Sequence, residues 1–341
     1  MNLSDFDYSY PPELVANYPA VQRDASRMMV VDRSSQKISH HTFLDFPNYL
    51  NPGDLLVIND SKVFPCRLFT QKKTGGKVEV FLLRQESPQV WECLITDSKK
   101  ILPNSELIFS DQLKGILMDE GGGTTRRIRL EYEGDLTIIL EKIGHIPLPR
   151  YIKRVDEISD RDRYQTVFAK NVGSAAAPTA GFHFTEKVLQ NLREKGVNIA
   201  VVTLHVGIGT FLSIKTEKIE NHQMHAESYF VPQETVDLVK QTKQKGGKIV
   251  AVGTTVVRTL ESAVQSDGSL LAGSGITEKF IHSPYEFKVV NRLLTNFHQP
   301  KSSLFVLAIT FASLSLIHKA YQEALSQKYR LFSYGDCMLI T

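Results

Sequence analysis

The chain has 341 residues, 42% of them apolar and 23% charged, a balance that excludes a disordered or fibrous protein. Forty basic against 37 acidic side chains leave a net charge of +3, far from the balance of a protein that coats nucleic acid, so composition permits RNA binding without arguing for it. Three scattered cysteines, Cys66, Cys93 and Cys337, exclude a disulfide framework and a zinc ribbon and fit a reducing compartment.

The opening stretch, MNLSDFDYSYPPELV, lacks the basic start and apolar run of a signal peptide and is too acidic for a transit peptide, so a cytoplasmic location is expected. From Ser26 to Asp60 the pattern predicts short strands, RMMVVDR and DLLVIND, with a turn at Pro52 and Gly53 between them. Over residues 62 to 137, apolar and polar positions alternate in KVEVFLLR, VWECLITD and RRIRLEYEG, separated by TGG, LPNSE and DEGGGTT. That pattern predicts an antiparallel sheet or small barrel. A short helix is expected over Leu136–Ile143, and Gly144–Arg154, rich in proline and positive charge, reads as an exposed connection.

After Val172 the periodicity changes. TEKVLQNLREKG and QETVDLVKQTKQKG read as helices, NIAVVTLHVG as a buried strand, and GKIVAVGTTVVRTLESAV as strand, loop and helix. The longest apolar run, Leu304–Ile317, is shorter than the roughly 18 to 20 residues that span a bilayer, so it is expected to be a buried core element with no membrane role. No internal repeat is present. The simplest assembly is an α/β region with a mixed sheet and flanking helices, built from residues 1–61 and 151–341, interrupted by an inserted antiparallel β-barrel over residues 62–150.

Histidines concentrate in the α/β half: His183, His205, His222, His225, His282 and His298 fall there, most beside Gly, Thr or Asn, which suggests a polar site. The segment GSAAAPTAGFHFT runs into a helix with Thr185 as a plausible N-cap, and an open helix N-terminus there suits an anion. It fits neither the Walker pattern nor the dinucleotide fingerprint. His205 precedes a glycine-rich bend, Gly207 to Phe211, and Gly253-Thr254-Thr255 followed by Arg258 forms a second strand-to-helix bend. The two are expected to face one crevice at the ends of neighbouring strands. In NHQMHAESY, His222, His225 and Glu227 lack the spacing of zincins, and His225 and Glu227 read more readily as acid, base or hydrogen-bond groups than as metal ligands. The basic pairs Lys72-Lys73, Lys99-Lys100, Arg126-Arg127 and Lys153-Arg154, with Tyr132 and Tyr151 nearby, are either phosphate contacts or solvated edge charges.

Taken in order, FDYSYPPELVANYP, RDASRMMVVDR, PGDLLVINDSKVFPCRL, TGGKVEVFLL, DRYQTVFA, GSAAAPTAGFHFT, VTLHVGIGTF, HQMHAESY, AVGTTVVRTLES, LLTNFHQPKSSL and YRLFSYGDCMLI resemble the motif series of the S-adenosylmethionine:tRNA ribosyltransferase-isomerases across nearly the whole chain. The resemblance implies an α/β catalytic region interrupted by an antiparallel barrel, and a monomer. It also implies the substrates S-adenosylmethionine, as ribosyl donor, and a tRNA carrying 7-aminomethyl-7-deazaguanine at the wobble position of the anticodon. Epoxyqueuosine-tRNA, adenine and methionine are the implied products, with no metal and no redox cofactor. The sulfonium acidifies the adjacent ribose carbon, so the chemistry calls for proton-transfer groups and an acid for the departing adenine.

Carried onto this sequence, the resemblance suggests His183, His205, His225, Glu227 and His298 as catalytic groups. Thr254, Thr255 and Arg258 are expected to grip the methionine carboxylate or ribose. Asn59, Asp60, Tyr164, Gln165, Thr179, Thr185, Gly207, Thr210, Gly253, Asn296, Ser333, Tyr334 and Asp336 are expected to line the substrate cleft. The chain departs from the usual motifs at Arg150, Ser283, Asn291 and Gln299 and after Trp91, which bears on tRNA contacts and loop geometry. Two competing readings predict different behaviour. A metal-dependent hydrolase using His183, His205, His222 and His225 would carry zinc, and a binding-only relative would hold anticodon RNA without consuming S-adenosylmethionine.

Overall fold

The computed structural model describes residues 1–71, 76–96, 101–118, 125–207 and 213–341, so Lys72-Lys73, Lys99-Lys100, most of the DEGGGTT turn and Thr210 lie outside the described residues. In chain order the strands are β1 (Arg27–Asp32), β2 (Lys37–Thr42), β3 (Leu55–Asn59), β4 (Ser61–Val63), β5 (Arg67–Gln71), β6 (Lys77–Gln85), β7 (Val90–Ile95), β8 (Glu106–Ser110), β9 (Leu113–Leu117) and β10 (Arg126–Tyr132). Helices α1 (Leu136–Ile143) and α2 (Asp160–Arg163) follow, then β11 (Asn171–Ser174), α3 (Glu186–Glu194), β12 (Asn198–Leu204), β13 (Glu227–Val231) and α4 (Gln233–Gln244). The chain closes with β14 (Ile249–Val252), α5 (Thr254–Ala263), β15 (Gly273–Thr277), β16 (Arg292–Asn296), α6 (Ser303–Phe311), α7 (Leu314–Ser326) and β17 (Cys337–Ile340).

Nine strands form one mixed sheet in the order β15-β13-β12-β3-β14-β16-β17-β1-β2. Its centre is parallel: β3 pairs in parallel with β12 and β14, and β14 with β16. Such strands are covered on both faces, and the sequence shows it, since all five residues of β3 are buried. Leu55 and Val57 face a core with Val256, Leu260 and Phe305, while Leu56 and Ile58 face a second core with Phe184, Leu189 and Phe46. Burying both sets is what makes an uninterrupted apolar run the right code for this strand.

Six strands form a separate antiparallel sheet, β5-β6-β7-β10-β9-β8. Here β10 alternates buried and exposed residues, with Arg126, Ile128 and Leu130 inside. The Thr70 hydroxyl donates to the Ile108 carbonyl at 2.5 Å, so the first and last strands of this order meet and nearly close a barrel. The expected fold class is therefore the observed one. The expected helix at Leu136–Ile143 is α1, N-capped by Asp135, whose carboxylate accepts from the Thr137 N–H at 2.7 Å.

Two local details go beyond what the sequence showed. The apolar run from Leu304 is two helices, because the Ser313 hydroxyl accepts from the Leu316 N–H and starts α7 afresh. Among the described residues no single helix is long and apolar enough to cross a membrane, and α6 and α7 together are bent by 114°. The segment after β1 turns back as β2, an edge strand whose exposed KISHHT pattern gives no apolar signal.

Candidate active site

Parallel order puts the carboxyl ends of β3, β12, β14 and β16 on one edge of the sheet, and the polar residues of the sequence motifs follow these strand ends. Asn59 ends β3, with Asp60 next to it. His205 follows β12, Gly253 follows β14, and Asn296 ends β16 two residues before His298. Because β17 runs antiparallel to β16, the segment Ser333 to Asp336 that leads into it arrives at the same edge. Open α/β sheets bind ligands there.

Two clefts open on this edge. The smaller, about 60 Å³, is lined by Thr179, Thr254, Thr255, Asn296, His298 and Ser333, along with Gly253. The larger, about 930 Å³, lies between the barrel and the sheet and takes in His205, Gly207, His225 and Glu227 on one side and Phe64 and Trp91 on the other. The two bends thus face two adjoining clefts, with Val206 lining both, rather than the one crevice expected.

In the small cleft, α5 begins at Gly253, whose φ of +88° favours glycine and whose N–H donates to the Leu294 carbonyl at 2.8 Å. Thr254 and Thr255 sit on its open first turn, and the buried Thr255 hydroxyl has no hydrogen-bond partner. Opposite, the Asn296 amide is fixed at both ends: its oxygen accepts from the Thr179 hydroxyl at 3.1 Å and its nitrogen donates to the Phe332 carbonyl at 3.2 Å. The same nitrogen faces His183 Nε2 at 3.3 Å, which makes that ring nitrogen the acceptor. Burial, reinforced by Arg23 and Arg330, pushes His183 down to about 3, and burial alone does the same to His298. Both imidazoles are therefore neutral at physiological pH.

His205 stands at the larger cleft. Its ring packs on Gly173, where a Cβ would come within 3.0 Å of the imidazole and where φ is +142°, so glycine is required there. Burial lowers its pKa, the Asp60 carboxylate opposes this, and Nδ1 is buried without a partner. Asp60 itself accepts from the Thr203 hydroxyl at 2.6 Å and the Asn171 amide at 3.0 Å. Glu227 joins the two bends: one carboxylate oxygen accepts from the Gly207 N–H at 2.8 Å and the other is ion-paired with Arg258 Nη1. His225 is exposed on the cleft wall.

Other expected site residues lie behind the clefts. Asn59 bonds both backbone groups of Leu204, and Gln165 both those of Val63. Tyr164 is wholly buried against Tyr334 and Phe182, Tyr334 donates to Asp160, and Asp336 accepts from the backbone N–H groups of Arg27 and Arg330. Arg258 lines neither cleft, since Nε donates to the Lys279 carbonyl while Nη1 pairs with Glu227. The anion site expected before α3 is corrected: Thr185 caps the helix through the Val188 N–H and donates to Asp24, so the chain's own carboxylate already sits there. Sequence reasoning missed Thr295, whose hydroxyl is 2.7 Å from His298 Nε2, as well as Phe64 and Trp91. A lone tryptophan in a strand facing the α/β half was the available signal.

Among the described residues no group of three or more histidine, cysteine or carboxylate side chains is placed to hold a metal ion. His222 packs on Phe280 instead. Of the departures, Asn291 Oδ1 accepts from the Ile249 N–H at 2.8 Å and so supports β14, Gln299 lines the small cleft, and Arg150 is exposed.

Residues 3–340 match the queuosine biosynthesis protein family. The S-adenosylmethionine:tRNA ribosyltransferase-isomerase of Syntrophotalea carbinolica is 48% identical over 342 residues, covering all of both chains, and that of a Sulfurihydrogenibium species is 49% identical over 341 residues with the same coverage. The crystal structure of the S-adenosylmethionine tRNA ribosyltransferase of Thermotoga maritima is similar at a TM-score of 0.57 and 35% identity, over 99% of this chain and all of that one. With its barrel and mixed sheet in the arrangement the motifs implied, the chain belongs to the family of S-adenosylmethionine:tRNA ribosyltransferase-isomerases of queuosine biosynthesis.

Proposed function

We propose that this enzyme transfers the ribosyl group of S-adenosylmethionine to 7-aminomethyl-7-deazaguanine at the tRNA wobble position and isomerises it, giving epoxyqueuosine-tRNA, adenine and methionine. The observation that carries this reading is the pair of adjoining clefts at one sheet edge, the smaller headed by the first turn of α5 and the larger open enough for an extruded nucleotide. In this reading S-adenosylmethionine occupies the small cleft with its carboxylate at the first turn of α5, where unpaired backbone N–H groups and the free Thr255 hydroxyl favour an anion.

The wobble nucleotide enters the larger cleft, and transfer occurs where the clefts meet, beside Val206. His205 is the proton acceptor there, an imidazole that lines the larger cleft and that burial keeps neutral at physiological pH. Glu227 and Arg258 act as positioning residues, and His183 and His298 as hydrogen-bond acceptors. We further propose that residues 1–61 and 151–341 form one discontinuous domain around an inserted domain at 62–150, and that the enzyme works as a monomer in the cytoplasm.

The test is adenine release from S-adenosylmethionine by purified protein, with and without tRNA bearing the modified base. Release that requires this tRNA, with epoxyqueuosine appearing in the RNA, is expected; tight RNA binding with no release would overturn the proposal. His205→Ala is expected to lower kcat by about 10²-fold or more in a folded protein, and unchanged turnover would remove it from the reaction. Trp91, packed against Phe64 at a ring separation of 5.7 Å on the barrel wall, is proposed to stack a base. Trp91→Ala should weaken tRNA binding by about tenfold, in keeping with ~1–3 kcal/mol per stacked base, and leave KM for S-adenosylmethionine unchanged. Equal losses for both substrates would point to barrel collapse instead.

A further inference from the structure

A third, smaller pocket lies on the far side of Ser333 from the small cleft and is lined by Arg23, Arg163, His183, Ser333 and Tyr334. Arg23 and Arg163 are near enough for each charge to bear on the other, and Arg23 and Arg330 both act on His183. Their hydrogen bonds go to backbone carbonyls. Arg23 donates to Phe182 at 3.2 Å and Asp162 at 2.9 Å, Arg163 to Val21 at 3.3 Å and Ala20 at 2.5 Å, and Arg330 to Tyr18. Carbonyls satisfy donors but do not neutralise charge.

Most nearby carboxylates are engaged elsewhere: Asp160 forms a two-pronged pair with Arg154, Glu141 meets Arg161 and Asp24 accepts from Thr185, while Asp336, which accepts the Arg27 and Arg330 backbone N–H groups, bears on the Arg330 charge. Asp162 is the acidic neighbour of Arg23, and its effect there is the weakest of those acting on that guanidinium. Among the described residues no carboxylate is ion-paired with any of the three guanidiniums, and Arg163 Nε is buried with no partner. Like charges gathered in this way at a half-buried position call for an anion from outside the chain.

We infer that Arg23 and Arg163, which line this pocket together, form a binding site for a backbone phosphate of the RNA substrate. The inference rests on the proposed function for the identity of that substrate. A polymer is favoured over an enclosed small molecule because the surrounding surface is open: Tyr18, Val21, Arg150, Lys153 and Ile158 are all exposed around the segments that carry the cluster. A phosphate held there would lie across Ser333 from the small cleft, which places the RNA backbone beside the bound donor.

The test compares full-length protein with the variants Arg23→Gln, Arg163→Gln and Arg163→Lys, measuring the Kd for tRNA across a KCl series, the KM for S-adenosylmethionine and the Tm. Each Gln variant is expected to lower the slope of log Kd against log salt by about 0.7 to 0.9, the value for one lost phosphate contact, and to weaken binding about tenfold at low salt. Arg163→Lys keeps the charge and should keep the slope while still weakening binding, which a purely structural role would not produce; it also serves if the Gln variants fail to fold. An unchanged slope in folded variants would overturn the proposal, as would a raised KM for S-adenosylmethionine with RNA binding intact, which would assign the anion to the donor's carboxylate. Wild-type protein that binds RNA but releases no adenine would sink the proposed function while leaving this site standing, and wild-type protein that binds no RNA would sink both.

Discussion

Glu227→Ala is expected to destabilise the enzyme by about 3–5 kcal/mol and to abolish turnover, because it leaves the Arg258 guanidinium buried without its counter-charge. Both side chains are nearly inaccessible, and water entering from the larger cleft supplies no counter-charge in place of the missing carboxylate. The same change frees the Gly207 N–H, which Glu227 holds at 2.8 Å, and loosens the bend at the end of β12 where His205 stands. The loss has two parts that a double-mutant cycle separates. Pairing Glu227→Ala with Arg258→Met removes both charges and should recover most of the stability, since a matched apolar pair is often neutral in place of a buried ion pair. Turnover should stay absent in the double variant, because the bend remains unanchored. Denaturant unfolding and adenine release measure the two parts. Turnover that returns with stability would show that the pair only supports the fold, and a single variant as stable as the parent would show that the charge is not buried in solution.

This pair also marks where sequence reasoning reached and where it stopped. The motif HAESY marked Glu227 as an acid, base or hydrogen-bond group, and TTVVRTLES placed Arg258 on a helix after a strand-to-helix bend. Neither pattern shows that β13 and β14 are separated in the sheet only by β12 and β3, so that the helix following β14 can carry Arg258 back to Glu227. The barrel was legible because strands such as β10 alternate inside and outside within seven residues, a purely local code. The nine-strand sheet was legible only as a class. Its order depends on β17, near the C-terminus, entering between β16 and β1 and pairing Met29 with Met338, and no local periodicity carries a contact of that separation. The Thr185 cap was foreseen from the residue type, whereas Asp24, which fills the same helix end, sits 161 positions away and could not be.

The second large effect concerns acid. His183 and His298 are held near 3 in the folded enzyme, against about 6.5 in the unfolded chain. Their folded-state values are depressed, so the fold favours the neutral form, and below about pH 6.5 the unfolded chain takes up protons that the native state refuses. Stability is therefore fully present above that pH and falls as pH drops toward 3, with a limiting slope of about 1.4 kcal/mol per pH unit for each histidine. By pH 5, before most carboxylates titrate, each contributes a loss of about 2 kcal/mol relative to pH 7.5. His205 and His222 shift in the same direction and steepen the curve. Urea unfolding at pH 7.5, 6 and 5 should thus show a steep decline for the parent, and His298→Asn should flatten it by about one proton even if its stability at pH 7.5 is lower. An unaltered slope would mean that His298 titrates normally in the folded enzyme, and the imidazole facing the Thr295 hydroxyl could then serve as a proton donor to the departing adenine. With the slope reduced as expected, His298 remains an acceptor, and the acid must come from another group or from water admitted by the larger cleft.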